Sequence, residues 1–189
     1  MAKKIKFAVI GSPISHSRSP EIHLEFATQA SLDIEFNKVE LNKSNLDDWV
    51  HSFFLEGGKG LSVTLPFKED CFSLADKVSL RANKTKAINV LYNKKGKILA
   101  DCTDGLGLVK DLVENKNQKI KDKSILLIGA GGAARGVLPS ILEEAPKSIV
   151  VANRTIEKAK KIVEEFSSEA YQTSKSSNLI ASGLSFENM

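Results

Sequence analysis

The sequence lacks the features of membrane-spanning, secreted and metal-cluster proteins. None of its apolar runs approaches the roughly 18–20 residues that a membrane span requires. The apolar stretch near the N-terminus covers only residues 7–10, which is too short for the core of a signal peptide. Its two cysteines, Cys71 and Cys102, are too few for a disulfide framework or a cysteine metal cluster. These absences predict a cytoplasmic protein without a membrane partner or a metal site.

Aromatic residues are scarce as well, at 6% of the chain. The net charge is +4, but the lysines are interleaved with acids and no aromatic stacking motif accompanies them, so we expect no nucleic-acid partner. Hydrophobic residues make up 42% of the chain, which is enough to bury a core and excludes global disorder. The binding motifs, rather than the composition, predict a small-molecule substrate as the partner. A homodimer is compatible with the composition, which does not fix the oligomeric state.

Short apolar runs alternate with segments of helical periodicity, which predicts an α/β fold with mostly parallel strands. Strands are expected at 7–10, 36–41, 61–65, 97–101, 125–128 and 148–152, with 87–92 able to form a hairpin with 97–101. Helices are expected at 20–30, 45–55, 67–75, 105–113, 132–145 and 156–166. The lysine-rich segment 115–124 has no apolar rhythm. We therefore predict a substrate-binding domain over 1–115 and a dinucleotide-binding domain over 116–189.

A glycine-rich turn follows the apolar strand 125–128. Residues 129–134 read Gly-Ala-Gly-Gly-Ala-Ala, which matches the G-x-G-x-x-A pattern of dinucleotide sites. In such a turn the glycines let the backbone approach a pyrophosphate, and free N–H groups at the helix start attract the anion. A flexible loop is the alternative, but the strand–turn–helix–strand context favours the dinucleotide interpretation. The predicted pyrophosphate-binding residues are Gly129, Ala130, Gly131, Gly132 and Ala133.

The end of the following strand indicates which dinucleotide is bound. NAD sites usually place an acidic residue about 20 residues after the glycines. Here that place holds Asn153, Arg154 and Thr155, and Lys158 follows one helical turn later. A guanidinium can bind a 2′-phosphate through two hydrogen bonds, so the predicted cofactor is NADP. The alternative is that Arg154 and Lys158 belong to an ordinary solvated helix.

Further polar residues follow the strands of the first domain. Ser17 and Ser19 lie beyond the first strand, where their hydroxyls could hold a carboxylate; equally, Ser19 could cap the helix that begins at Pro20. Lys68 is expected in the first turn of a helix, where its charge is unfavourable, which suggests either a function or an ordinary surface lysine. Asp104 is suited to cap the helix from Gly105 and, with Lys68, to form a proton-transferring pair. The strand residues Thr64 and Asn89 complete the set.

Together these motifs resemble those of the shikimate dehydrogenase family. The matching segments occur in family order and span residues 5 to about 166; they are 11–20, 57–60, 62–68, 87–89, 103–105, 129–136 and 153–155. The resemblance implies NADPH-dependent reduction of 3-dehydroshikimate to shikimate on the route to chorismate and aromatic amino acids. It also implies an N-terminal substrate-binding α/β domain followed by a partial Rossmann domain.

The resemblance further implies a role for each matching residue. Ser17 and Ser19 would hold the substrate carboxylate. Thr64, Lys68, Asn89 and Asp104 would contact its ring oxygens, and Lys68 with Asp104 would be catalytic. Residues 129–133 would bind the pyrophosphate, and residues 153–158 the 2′-phosphate side of the cofactor.

The sequence also departs from the family pattern. Lys86 and Val90 flank Asn89 where glycine and threonine are common, which leaves quinate open as a further substrate. The family continues through further strands that nothing after Phe166 matches, so about half of a cofactor domain is expected, with strand 125–128 paired on one side only. A non-catalytic remnant that retains both binding sites is the alternative to an active enzyme.

Overall fold

The computed structural model describes residues 4–167 and 178–183. The chain divides into two compact units, Met1–Cys102 and Thr103–Met189. Within the described ranges, no helix combines the length and the apolarity needed to cross a bilayer.

The first unit is built on a six-stranded sheet. Its strands are β1 (Ile5–Gly11), β2 (Ile34–Glu40), β3 (Gly60–Val63), β4 (Lys77–Val78), β5 (Val90–Lys94) and β6 (Lys97–Asp101), and its helices are α1 (Ser19–Gln29), α2 (Leu46–Leu55) and α3 (Leu80–Thr85). The strand order is β2-β1-β3-β5-β6-β4. The pairs β1–β2, β1–β3 and β4–β6 are parallel, whereas β5 runs antiparallel to both β3 and β6. The predicted hairpin is thus confirmed as β5–β6.

Apolar residues on the two faces of this sheet form two separate core clusters. One packs Ala8 and Ile10 of β1 with Val50 and Phe54 of α2. The other packs Val9 of β1 with residues of α1 and β2. Because successive side chains of a strand point to opposite faces, a continuous apolar run such as that in β1 serves a sheet covered on both sides.

The prediction of a helix at 67–75 is wrong. The structure has turns over residues 65–69 and then a short 3-10 helix, Asp70–Leu74. The carbonyl oxygen of Lys68 accepts a hydrogen bond from the N–H of Ile88 at 2.8 Å and is thereby tied to a segment outside the helix. Lys68 therefore does not lie in the first turn of an α-helix, and no helix dipole makes its charge unfavourable.

The second unit contains α4 (Asp104–Lys110), a π-helical segment (Asp111–Asn115), β7 (Ser124–Ile128), α5 (Gly132–Glu143), β8 (Ser148–Asn153), α6 (Ile156–Phe166) and β9 (Asn178–Gly183). The three strands are parallel in the order β7-β8-β9. A strand–helix–strand–helix order with a parallel sheet confirms the predicted Rossmann-like arrangement.

The side chains of β7 alternate between a packed and an open face. Ile125 and Leu127 pack against the core that contains Leu138 of α5 and Ile162 of α6. On the other face Leu126 is 60% and Ile128 is 64% exposed. Within residues 4–167 and 178–183, β7 pairs only with β8, as expected from the sequence.

The division between the units differs from the domain boundary expected at 115/116. Helix α4 belongs to the second unit because it packs against α5. A Cβ on Gly105 would lie 2.4 Å from Ser140 Oγ and 2.9 Å from the carbonyl oxygen of Gly136, so the glycine allows the two helices to approach closely. The lysine-rich composition of segment 115–124 reflects its mostly exposed position. The start of the second compact unit is instead determined by the packing of α4 against α5.

Candidate functional site

One edge of the first sheet carries most of the predicted substrate residues. The parallel strands β1 and β3 both end there, and the antiparallel β5 begins there. Ser17 and Ser19 follow β1, Thr64 and Lys68 follow β3, and Asn89 precedes β5. Ligands of open α/β sheets bind beyond the carboxyl ends of the strands, and this edge has that position.

The loops after β1 and β3 are joined by short backbone contacts. Ser12 N–H donates to the Leu65 carbonyl oxygen and Thr64 N–H to that of Ile10, each at 3.0 Å. A Cβ on Gly11 would lie 2.6 Å from Thr64 Cγ2 and 2.9 Å from the Leu65 carbonyl oxygen. Only glycine at position 11 lets the two loops approach this closely.

Ser17 and Ser19 present two adjacent, half-buried hydroxyls. Ser17 Oγ donates to Ser19 Oγ at 3.2 Å and accepts from the Ser19 N–H at 3.3 Å. Ser19 is the first residue of α1 and does not cap it, so the N-cap expected from the sequence is wrong; the hydroxyl of Ser17 takes a first-turn N–H instead. Two hydroxyls at a helix N-terminus suit a carboxylate.

Backbone hydrogen bonds bring Thr64, Lys68 and Asn89 to the same edge. The Asn89 carbonyl oxygen accepts from the Val63 N–H at 2.8 Å, which places Asn89 beside the residue preceding Thr64. The Lys68 carbonyl oxygen accepts from the N–H of Ile88 at 2.8 Å, which places Lys68 beside the residue preceding Asn89. All three side chains are half-buried.

Asp104 lies in the second unit. It is the first residue of α4, and Thr103 rather than Asp104 occupies the N-cap position. The expected cap is therefore displaced by one residue. A carboxylate in the first turn still interacts favourably with the partial positive charge of the helix N-terminus.

The glycine turn after β7 has the geometry of a phosphate-binding turn. Gly129 has φ +111°, a conformation that favours glycine, and its N–H donates to the Ala152 carbonyl oxygen at 2.7 Å. Helix α5 begins at Gly132 without a side-chain cap on its first N–H groups. A Cβ on Gly131 would meet no atom within 4 Å, so open space borders the backbone there. These features fit a pyrophosphate group.

The residues expected to select the cofactor follow β8 at the same end of the second sheet. Asn153 ends β8, and its Nδ2 donates to the Thr155 carbonyl oxygen at 2.8 Å. Arg154 and Lys158 are exposed. Neither has an ion-pair partner among the described residues, so both charges are available to an anion.

Two side-chain networks could not be recognised from the sequence. The carboxylate of Asp101 accepts hydrogen bonds from Ser79 and Arg81, and Arg135 of α5 forms an ion pair with Glu165 of α6. The bonded residues are 20 to 30 positions apart in sequence, so none of these contacts has a local spacing from which it could be recognised. An aspartate at the end of an apolar strand was the one available signal for Asp101.

The pKa values of Asp101 and Cys71 in the first unit depart from their ordinary range. Burial alone would raise the pKa of Asp101, but hydrogen bonds from Arg81, Ser79 and the Cys102 N–H, with the charge of Arg81, outweigh it and lower that pKa. Burial, with a smaller contribution from Asp70, raises the pKa of Cys71 to about 12. Cys71 is therefore a neutral thiol of the core.

Comparison with protein families identifies both parts of the chain. Residues 9–91 match the shikimate dehydrogenase substrate binding domain, and residues 111–182 match the shikimate/quinate 5-dehydrogenase family. The shikimate dehydrogenase (NADP(+)) of Alkalilimnicola ehrlichii is 44% identical over 87% of this chain and 61% of its own length. That of Chromobacterium violaceum is 47% identical over 85% of this chain and 59% of its own length. The chain thus spans about three fifths of the length of these curated relatives.

Solved structures agree with the sequence comparisons. Shikimate dehydrogenase from Aquifex aeolicus aligns with a TM-score of 0.81 at 34% identity, over 87% of this chain and 62% of that one. The Thermus thermophilus enzyme, solved in complex with NADP(H) and shikimate, aligns with a TM-score of 0.78 at 28% identity, over 86% of this chain and 60% of that one. The chain therefore belongs to the shikimate dehydrogenase family.

Proposed function

We propose that this chain binds shikimate and NADP and interconverts 3-dehydroshikimate and shikimate, on the route to chorismate and aromatic amino acids. The observation that carries the proposal is the gathering of Ser17, Ser19, Thr64, Lys68 and Asn89 at one edge of the first sheet. The activity for which the curated relatives are named, and the ligands of the Thermus thermophilus complex, support it.

The proposal assigns the carboxylate of the substrate to Ser17 and Ser19. Their oxygens lie 3.2 Å apart at the start of α1, so both can donate to one carboxylate once Ser17 releases its bond to Ser19. Thr64, Lys68 and Asn89 then face the other end of the ligand with a hydroxyl, an ammonium and an amide. This set can donate to and accept from ring hydroxyls.

Lys68 is proposed as the acid–base residue. In the reductive direction its ammonium gives a proton to the carbonyl oxygen of 3-dehydroshikimate, and in the oxidative direction the amine takes the proton of the hydroxyl. Bound NADPH supplies the hydride that reaches the carbonyl carbon. Asp104 is proposed as the second catalytic residue, on the strength of the motif order alone.

The cofactor is proposed to lie on the second unit. Gly129, Ala130, Gly131, Gly132 and Ala133 would hold the pyrophosphate with backbone N–H groups, in keeping with the left-handed φ of Gly129 and the uncapped start of α5. Asn153, Arg154, Thr155 and Lys158 would hold the 2′-phosphate. The exposure of both cations supports this assignment.

We further propose that the protein acts in the cytoplasm and forms a homodimer. Cys71 and Cys102 are both buried and form no disulfide within the described part of the chain, which suits a reducing compartment. The open face of β7, with Leu126 and Ile128 more than half exposed, is an apolar surface that a second copy could cover.

The test is formation of NADPH absorbance from purified chain, shikimate and NADP⁺. Lys68→Ala should reduce turnover by about 10²–10⁴-fold while shikimate affinity, measured by calorimetry, changes much less. Lys59→Ala is the matched control, because Lys59 is an exposed lysine at the opposite end of β3. Equal turnover in the Lys68→Ala variant and the wild type would contradict the acid–base role.

Two further outcomes separate the alternatives. Shikimate binding without turnover by the wild type would favour a binding module that lacks catalysis. Turnover of quinate at a rate similar to that of shikimate would widen the substrate range, with Lys86 and Val90 beside Asn89 as the first residues to exchange.

A further inference from the structure

The carboxylate of Asp101 joins three segments at the sheet edge that carries the candidate site. Its Oδ1 accepts hydrogen bonds from Ser79 Oγ at 2.6 Å, Arg81 Nε at 2.7 Å and the Cys102 N–H at 2.8 Å. A further N–H of Arg81 donates to Oδ2. The Asp101 side chain is only 18% exposed. The Asp101 side chain thus connects the end of β6 to the start of α3 and to Cys102, the first residue after the strand.

The backbone of Asp101 continues this connection into the site. Its carbonyl oxygen accepts from the Asn89 N–H at 3.1 Å, and the Asn89 carbonyl oxygen accepts from the Val63 N–H at 2.8 Å. The next residue, Thr64, donates to the Ile10 carbonyl oxygen at 3.0 Å. A displacement of the Asp101 backbone would therefore shift Asn89, to which it is joined by one hydrogen bond.

The network could in principle serve only to anchor α3. However, Ser79 already caps α3 by accepting from the Ala82 N–H at 3.1 Å, and its own N–H donates to the Ala100 carbonyl oxygen at 3.0 Å. Both bonds are independent of the carboxylate. Besides its bonds to Ser79 and Arg81, the carboxylate accepts from the Cys102 N–H, a bond that does not involve α3 and that fixes the direction of the chain at the end of β6.

We propose that Asp101 is a positioning residue of the shikimate site: without contacting the substrate, it fixes the backbone of Asn89 and thereby sets the affinity for the ring hydroxyls. The inference rests on the proposed function and extends it by naming a residue that acts through Asn89. The end of the substrate held by Ser17 and Ser19 should be independent of Asp101, since those residues follow a different strand.

The experiment compares Asp101→Asn with Asp76→Asn in the whole chain. Asp76 is the matched control because its Oδ2 accepts the Ile98 N–H at 2.7 Å, at the opposite end of β6. Calorimetry should show that Asp101→Asn raises the Kd for shikimate about tenfold. Asp76→Asn should change that Kd by less than about twofold, because it alters the strand away from the site.

Two double variants test the route of the effect. If Asp101 acts through Asn89, then Asp101→Asn should add little to the loss caused by Asn89→Ala. In contrast, Asp101→Asn combined with Ser17→Ala should multiply the two single losses, because the sites are independent. Multiplied losses in both double variants would overturn the inference.

Amide hydrogen exchange provides a readout that needs no ligand. Asp101→Asn should accelerate exchange at the N–H groups of Asn89 and Cys102, and Asp76→Asn should leave both unchanged. Unchanged exchange in Asp101→Asn would overturn the positioning role even if shikimate binds. Accelerated exchange together with no shikimate binding by the wild type would instead contradict the proposed function, and the substrate part of the inference with it.

Discussion

Arg135 and Glu165 form an ion pair that joins the first turn of α5 to the last turn of α6. Arg135 Nη2 lies 2.6 Å from both carboxylate oxygens of Glu165, and Arg135 Cζ lies over the ring of Phe166, 5.7 Å from its centroid. The Arg135 side chain is 9% exposed. Removal of one partner from a buried pair leaves the other charge without compensation, and this cost exceeds the net contribution of the pair.

We therefore expect Glu165→Ala to lower the free energy of unfolding by about 2–4 kcal/mol, measured by urea denaturation. The double variant Arg135→Met/Glu165→Leu should lose less than the single variant, because it removes both charges and retains apolar volume. Glu114→Ala is the control, since its ion pair with Lys110 spans 3.8 Å on the surface and should contribute less than about 0.5 kcal/mol. A double variant less stable than the single variant would contradict the interpretation.

The cofactor assignment predicts a difference between two nucleotides at Arg154. Arg154→Ala should raise the Kd for NADP⁺ by about tenfold or more and leave the Kd for NAD⁺ within about twofold, because only NADP⁺ carries the 2′-phosphate. Lys161→Ala, which removes another exposed cation from α6, should affect neither. Fluorescence titration measures both constants. Equal losses for the two nucleotides would contradict a 2′-phosphate contact.

Local patterns in the sequence predicted most elements of the fold. The apolar run of β1 and the glycine turn after β7 are short-range signals, each of which is compatible with one local structure. Both structures were found as expected. The helix at 67–75 failed because the Lys68 carbonyl oxygen bonds to Ile88, a partner that periodicity within the segment cannot show. Tertiary context overrides local propensity in such short segments.

The candidate site shows the same limit. Ser17 and Thr64 could be proposed because they lie beyond or at strand ends that the pattern locates, and Asn89 because it is a polar residue of the strand expected at 87–92. Their registration depends on hydrogen bonds between strands that are far apart in sequence, such as that from Val63 to Asn89. Asp101 was missed for the same reason: its partners Ser79 and Arg81 precede it by about 20 residues.

The open face of β7 predicts self-association. Leu126 and Ile128 are exposed on a strand whose outer edge pairs with no other strand among the described residues, and such edges readily pair with another chain. The apparent mass in light scattering should rise with protein concentration. Leu126→Lys should reduce that rise, because a charged residue at an edge opposes pairing. Leu55→Lys, at an exposed position on α2, should leave it unchanged.

The lowered pKa of Asp101 predicts how stability depends on pH. A carboxyl group whose pKa is lower in the folded state stabilises the fold above its ordinary pKa of about 3.9, and this contribution disappears as the pH falls through the folded-state pKa. At pH 7 we expect Asp101→Asn to cost about 2 kcal/mol in the free energy of unfolding. The difference between wild type and variant should be constant from pH 7 to about pH 5 and shrink below about pH 4.

Arg81 provides the second arm of this test, because its guanidinium donates to both oxygens of the carboxylate and thereby helps to lower the pKa. Arg81→Gln removes hydrogen bonds and a positive charge that lower the pKa of Asp101, whereas burial still raises that pKa. The stabilising contribution of Asp101 should therefore be lost at a higher pH, closer to the ordinary carboxyl range. The shift is measured by urea denaturation at about four pH values between about pH 2.5 and pH 7. The proteins compared are the wild type, Asp101→Asn, Arg81→Gln and the double variant Arg81→Gln/Asp101→Asn. A difference between wild type and Asp101→Asn that grows as the pH falls would show that the folded state raises this pKa, and would contradict the hydrogen-bonding arrangement at the end of β6.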